Sequence, residues 1–365
     1  MSQIARLSVF LLASAAALLA QQRLPHYGDN ATAYETVKVA EGIYTFVAPD
    51  SKTPLVSGNS TVIIGDEGAL VVDSTHFPSL AKKMISEIRS MTGQPVRYLV
   101  NSHWHPDHFT GNAAYREAFP GIAIVSTAPT RDQYEKGWTY NDVDRLGKAV
   151  PRLREIVDTG IGKDGKSLSA EDRDFYREEL AGVNVAIREW SGVKHIAPDT
   201  IFDRQLTVFL GKREVDVMFL GRGNTMGDAV IYVPDTKTLI TGDLLVNPVP
   251  YCYGSFFTEW IDTLQKLNAM DATAIVPGHG PVEHDKQHLQ QVIRMFQSMV
   301  RQAKEAVQKG QSLDEFRKSI DLAEFRRQMA GADYFQNRDF DDSVIRAGLE
   351  RTYREAKEGP LKDED

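Results

Sequence analysis

Residues 101–108 read NSHWHPDH and follow directly on VRYLV, a β-branched run with the composition of a strand. Three of the nine histidines in the chain, His103, His105 and His108, fall within six positions and share that segment with Asp107. Imidazole and carboxylate are the ligand types zinc takes when thiolates are absent. A loop at a strand end can aim His103 and His105 to one side and Asp107 and His108 to another, a geometry for two adjacent metals. The fold must then bring further ligands to the same place from other strand ends. Two runs offer them: LITGD finishes with Asp243 and AIVPGHG reaches His279, both in glycine-flanked turns where backbone freedom lets side chains converge.

The surrounding pattern is layered. GIYTFVA, STVIIGDEGALVVD and VRYLV read as strands and tight hairpins, and between the last two PSLAKKMISEIRSMTG repeats apolar residues every four positions at Leu80, Met84 and Ile88, as a helix does. DRQLTVFL, REVDVMFLG, DAVIYVPDTKTLITGD and ATAIVPG form a second set of strands. Residues of about 128–196 lie between the two sets and are charged and helix-like, with helices expected in DVDRLGKAVPRLREIVDTG and SAEDRDFYREELAGVNVAIREW. This stretch reads as an insertion in one fold, so residues 21–365 are expected to form a single domain. From Glu283 to about residue 310 the pattern is helical again, with further short helices beyond.

The order His-x-His-x-Asp-His, a Gly-rich turn, a strand ending in GD, then PGHG resembles the metallo-β-lactamase superfamily, over about Gly42 to His284. The resemblance implies an α/β fold: a four-layer αββα sandwich of two mixed sheets flanked by helices, with metals held by loops at one edge. It assigns His103 and His105 to a first metal, Asp107, His108 and His279 to a second, and Asp243 to a bridge between them. Asp73, at the end of ALVVD, matches the early Asp of the family and is expected to orient the ligand loop. One position departs from the pattern. In FLGRGNTMGD, Asn224 stands where the family usually places a third histidine for the first metal, and an amide oxygen is the weaker donor to zinc.

Two zinc ions are therefore expected, the one at Asn224 held more weakly. With both present, a metal-activated hydroxide attacks an amide, ester, lactone or thioester carbonyl and Asp243 orients it. With one metal at Asp107, His108, His279 and Asp243, His103 or His105 is free to act as general base. His105, Asp107 and Asp243 form the expected catalytic set. β-Lactamase activity is a minority reading, because Asp243 resembles the bridging Asp of glyoxalase II and lactonase-type members. The alternatives are an iron-dependent sulfur dioxygenase-like oxidoreductase, against which the loss of a histidine at Asn224 counts, and a metal-stabilised binding protein without turnover.

Aromatic residues crowd YEKGWTY, residues 134–140, and VPYCYGSFF, residues 249–257. Trp138, Tyr251, Tyr253 and Phe256 are candidates to wall a substrate pocket, with core packing as the competing use. Cys252 is the sole cysteine and reads as a buried, inert thiol. His26, His76, His195, His284 and His288 are expected on solvated surface. SKTPLVSGN, residues 51–59, reads as a loop and candidate flap, and the tail EGPLKDED as a frayed, solvated end. GRGNTMGD lacks the Gly-Lys-Ser/Thr ending of a phosphate loop.

The first twenty residues have the design of a secretory leader: Arg6, then the apolar LSVFLLASAAALLA with small residues at its end. That apolar run is about fourteen residues, shorter than the roughly twenty needed to span a bilayer. A periplasmic or secreted protein with no membrane attachment after cleavage is expected. The net charge of -8, without a long basic run, argues against nucleic-acid or anionic-membrane partners and leaves a small molecule as the expected substrate. Oligomeric state has no signature in the chain.

Overall fold

The computed structural model describes residues 33–49 and 55–364, so the leader-like segment lies outside the described residues. Strands β1 (Glu35–Ala40), β2 (Ile43–Val47), β3 (Ser60–Ile64), β4 (Ala69–Val72), β5 (Val96–Val100), β6 (Ala123–Thr127) and β7 (Thr200–Phe202) form a seven-stranded sheet in sequence order. Strands β8 (Gln205–Leu210), β9 (Arg213–Phe219), β10 (Ala229–Val233), β11 (Thr238–Val246) and β12 (Ala274–His279) form a five-stranded sheet in the order β12-β11-β10-β9-β8. β4 to β7 run parallel, as do β11 and β12, while the remaining pairs are antiparallel.

Side-chain alternation along the strands builds the layers. On β4, Leu70 and Val72 face the second sheet and meet Val215, Val217, Ile231 and Ile240 in a core between the sheets. Ala69 and Val71 face outward, under helix α1 (Pro78–Met91), whose Leu80, Met84 and Ile88 stripe is buried against them. The outer face of the second sheet is covered by α7 (Phe257–Ala269) and α8 (Gln287–Gln308), with Trp260, Leu264, Val292 and Phe296 buried over Val230, Leu239 and Ile275. Helix, sheet, sheet and helix are thus stacked in that order, the sandwich implied by the ligand motif.

Short helices α2 (Pro106–Phe109) and α3 (Asn112–Ala118) follow β5. Between β6 and β7 the chain makes α4 (Ala128–Trp138), α5 (Val143–Thr159) and α6 (Ala170–Trp190). Asp142 and Ser169 cap the last two with side chains that accept from Arg145 N and Asp172 N, and Gly160 ends α5 in the left-handed conformation at φ 66°. α6 buries Val185, Ala186 and Trp190 beside α1, which anchors the insertion to the first sheet. Beyond α8 come α9 (Leu313–Ser319), α10 (Ala323–Met329), α11 (Tyr334–Asp339), a π-helical stretch over Phe340–Gly348 and α12 (Leu349–Glu358). Among the described residues no helix is long and apolar enough to cross a membrane.

The tail after α12 is exposed at Pro360, Lys362 and Asp363, as its composition suggests, but it is pinned and not frayed. Leu361 is buried, and the carbonyl oxygens of Leu361 and Asp363 accept from Arg222 Nη1 at 3.0 Å and Arg351 Nη2 at 2.6 Å. Backbone acceptors meeting fixed guanidinium groups hold it down, and a charged sequence gives no sign of such contacts.

Candidate metal centre

Parallel strands place their C-terminal ends together, and the candidate ligands lie there. Asp73 follows β4, His103 to His108 follow β5, and His279 ends β12. Asp243 sits inside β11, whose register with β12 breaks around Gly242, itself at φ 52°. The approach is close: a Cβ on Gly278 would lie 1.9 Å from Asp243 Oδ1, and one on Gly58 would lie 2.4 Å from His108 Cε1. Glycine is what lets two backbones reach the cluster.

Ligand atoms of His103, His105 and Asp243 lie within 4.8 Å of one another, as do those of Asp107, His108 and His279. Asp243 joins the two groups. Its Oδ2 is 3.6 Å from His103 Nε2, and its Oδ1 is 3.3 Å from His108 Nε2 and 3.5 Å from His279 Nε2. Asp107 Oδ2 stands 3.0 Å from His279 Nε2 and 3.3 Å from His108 Nε2.

Hydrogen bonds behind the ligands settle which nitrogens are bare. Asp73 Oδ2 accepts from His108 Nδ1 at 2.8 Å and from Ser102 Oγ at 2.7 Å, and its Oδ1 accepts from Ser102 N at 2.7 Å. Because the Ser102 hydroxyl spends its one proton on Asp73, His103 Nδ1 must be the donor in the 2.9 Å contact with Ser102 Oγ. His103 and His108 then carry their protons on Nδ1, and both Nε2 lone pairs point into the cluster. Asp73 stands outside the groups of ligand atoms and holds His108 and Ser102 from behind, the position expected of a residue that orients the ligand loop.

Ring nitrogens and carboxylate oxygens converge here, with His103 Nε2 2.9 Å from His105 Nδ1 and His108 Nε2 3.2 Å from His279 Nε2, and call for a cation between them, a proton or a metal. Burial opposes charge on His108, yet Asp243, Asp107 and Asp73 raise its pKa well above the usual imidazole range. Burial and the neighbouring His108 hold His103 well below that range. Asp243 Oδ1 is buried with no hydrogen-bond donor. A divalent metal answers each of these and competes with the proton for the same lone pair. All-nitrogen-and-oxygen donors fit zinc chemistry.

Asn224 lies in the turn between β9 and β10, where Asp228 accepts from Thr225 N at 2.8 Å and from Thr225 Oγ1 at 2.9 Å. Its Nδ2 donates to Tyr251 O at 2.6 Å, which fixes the amide, and its Oδ1 is buried with no partner. That oxygen has no hydrogen bond to give up and is the atom through which Asn224 could serve a metal.

A cavity of about 450 Å³ opens on the cluster, reaching His105, Asp107 and Asp243. Its apolar walls include Leu55, Val56, Leu146, Trp190 and Tyr251, and the Tyr251 ring is 5.0 Å from that of His279. Tyr253 also lines it and donates to Asp342 at 2.7 Å. Phe256 and Trp138 do not. Phe256 is buried just before α7, beneath the guanidinium of Arg222 at 4.2 Å, and Trp138 packs on His195 with ring centroids 3.8 Å apart.

His76 is a further correction. It is buried in the cavity wall, with Nδ1 at 2.7 Å from Val56 O, Nε2 at 3.2 Å from Asn141 Oδ1 and its ring on Trp190. His288 is half-buried and bonds Val246 O at 2.9 Å, whereas His195 and His284 are exposed. His26 and residues 51–54 lie outside the described residues, but Leu55 and Val56, at the end of the expected flap, do reach the cavity. Burial pushes the Cys252 thiol up to about 12, an inert group. Trp190, Arg145 and Ser343 also line the cavity from distant parts of the chain, and no local motif marks them.

The sequence model of the metallo-beta-lactamase superfamily matches residues 53–279. Among curated proteins, the chain is 26% identical over 247 residues to a linear primary-alkylsulfatase from a Pseudomonas species, covering 66% of this chain and 44% of the relative. It is 31% identical over 108 residues to a type 2 metallo-beta-lactamase from Bacteroides fragilis, covering 26% of this chain and 43% of that protein. The chain thus spans less than half the length of these curated relatives. A metallo-beta-lactamase from Pontibacter korlensis superposes with a TM-score of 0.50 at 18% identity, over 73% of this chain and 99% of that structure, a likeness of fold.

Proposed function

The chain belongs to the metallo-beta-lactamase superfamily, and from that premise we propose that it is a zinc-dependent hydrolase acting on an amide, ester, lactone or thioester carbonyl. The observation that carries this reading is Asp243, a buried carboxylate with one oxygen toward each of two clusters of ligand atoms. His103, His105 and Asn224 would hold one ion, Asp107, His108 and His279 the other, with Asp243 between. Bound there, zinc supplies a water of lowered pKa and an electrophile for the substrate oxygen.

The residues of the chain do the rest. Asp73 and Ser102 keep the ligand nitrogens in the metal-accepting tautomer. Asp243 Oδ1, without a hydrogen-bond donor of its own, can accept a hydrogen bond from the attacking water and so orient it. Leu55, Val56, Leu146, Trp190 and Tyr251 exclude bulk water and favour a substrate with an apolar body. The apolar walls, with a linear primary-alkylsulfatase among the relatives, also favour a second reading, the sulfate monoester of an apolar alcohol. The leader-like first twenty residues support export to the periplasm or beyond.

Zinc-loaded protein offered a chromogenic β-lactam, a lactone, a thioester, an aryl ester and a long-chain alkyl sulfate should turn over at least one carbonyl substrate. Activity should vanish on chelation and in His105→Ala. Turnover of the alkyl sulfate alone selects the second reading. No turnover of any of them by protein shown to hold zinc makes it a metal-stabilised binding protein.

A further inference from the structure

Glu364 belongs to the tail expected to be solvated, yet it reaches the metal centre's supporting turns. Its Oε1 accepts a short hydrogen bond from Met226 N, two residues beyond Asn224. Its Oε2 is buried with no partner of hydrogen-bond geometry, and the same holds for Trp104 Nε1, the indole between His103 and His105. Burial raises the Glu364 carboxyl above its usual range, and the Met226 N–H and then the Trp104 indole N–H act against that rise, so the indole lies within reach of the carboxylate.

The chain around Glu364 is fixed on both sides. Arg222, itself paired with Glu259 at 2.8 Å, donates to Leu361 O, and the buried Arg351 joins Ser255 O at 3.0 Å to Asp363 O at 2.6 Å. A Cβ on Gly254 would lie 2.5 Å from Glu364 O, so the tail is pressed against the 252–256 turn. Lys136, whose Nζ is 5.4 Å from the Trp104 ring, and Arg351 lend positive charge, while Asp228 opposes.

An ionisable group is held in such a place at a cost in desolvation, and that cost has to be offset by what the group binds. Here it binds two ligand-bearing segments at once. We infer that Glu364 is a positioning residue of the metal centre: its carboxylate ties the turn of Asn224 to the loop of His103 and His105, so that seating the tail and filling the first metal position are coupled. Groups behind metal ligands typically contribute about 10- to 100-fold in affinity. The effect is directional, because the segments Glu364 touches serve the His103, His105 and Asn224 half, while His279 and Asp107 are held from elsewhere.

This inference rests on the two-ion reading, and its test separates the two. Full-length metal-free protein is titrated with zinc by calorimetry, and with cobalt by visible spectroscopy, as the parent and as Glu364→Ala and Glu364→Gln. Glu364→Ala should weaken the weaker event about tenfold or more and leave the tighter one within about twofold, while Glu364→Gln, which keeps the acceptor oxygen, recovers most of the loss. If Glu364→Ala does not fold, Trp104→Phe, which removes the indole N–H together with part of a buried ring, should weaken the same event. Two events in the parent that are unchanged in the variants, or weakened equally, overturn the inference alone. Absence of both events in the parent overturns the hydrolase reading and this inference with it.

Discussion

Asp243→Ala is expected to lower kcat/KM by about three orders of magnitude, equivalent to about 4 kcal/mol of transition-state stabilisation, and to leave no more than one zinc per chain. The carboxylate has an oxygen 3.6 Å from His103 Nε2 and another 3.3 Å from His108 Nε2, so one substitution takes a ligand from both halves. It also removes the group that orients the attacking water. Asp243→Glu should not rescue the loss. Oδ1 lies only 1.9 Å from where a Cβ on Gly278 would stand, and an added methylene has nowhere to go without moving β11 from β12. Zinc content by elemental analysis, with kcat/KM on the best substrate of the panel, checks both statements. Two zinc ions retained with activity within tenfold of the parent would remove Asp243 from its assigned place.

Asp73→Asn should weaken the tighter zinc by about 10- to 100-fold without touching a ligand. Asp73 sits at φ 59°, a region asparagine also tolerates, so the backbone is left alone. The hydrogen-bond polarity is not. An amide NH₂ in place of Oδ2 can no longer accept from His108 Nδ1 or from Ser102 Oγ. His108 then favours its proton on Nε2, and Ser102, released as a donor, bonds toward His103 Nδ1 and drives that ring the same way. Both lone pairs that faced the metals are lost to protons. A wrong-tautomer fault of this kind is partly repaired by excess metal, so activity should climb with added zinc well beyond the concentration that saturates the parent. Unchanged affinity would mean that the tautomers are fixed by something other than Asp73.

The clustering of the candidate ligands was legible because each is either contiguous with another, as in NSHWHPDH, or stands beside a glycine in one of two adjacent parallel strands, although Asp243 lies inside β11 and not at its end as the run LITGD suggests. Strand ends are readable from alternation, and parallel strands bring such ends together, so order along the chain translated into proximity in space. Asp73 was legible for the same reason. The cavity wall was not. Trp190 arrives from the end of α6, Leu146 from α5 and Ser343 from the π-helical stretch, and nothing local distinguishes a residue that reaches the site from one that covers a sheet. Phe256 and Trp138 show the converse: an aromatic near the motif is equally suited to sit under an arginine or on an imidazole, and both do.

His76 was misplaced because a lone histidine carries no spacing signal, and its partners, Val56 O and Asn141, lie far from it along the chain. The pinning of the tail was not legible because its anchors are backbone carbonyls, which every sequence possesses.

Calorimetric titration of metal-free protein with zinc, run beside Asn224→His, tests the dinuclear centre most directly. Two events per chain, one tight and one weak, with the weak one tightened by the histidine, are the predicted result. No zinc binding, a single event in both proteins, or two events of equal affinity in the unsubstituted protein would contradict it.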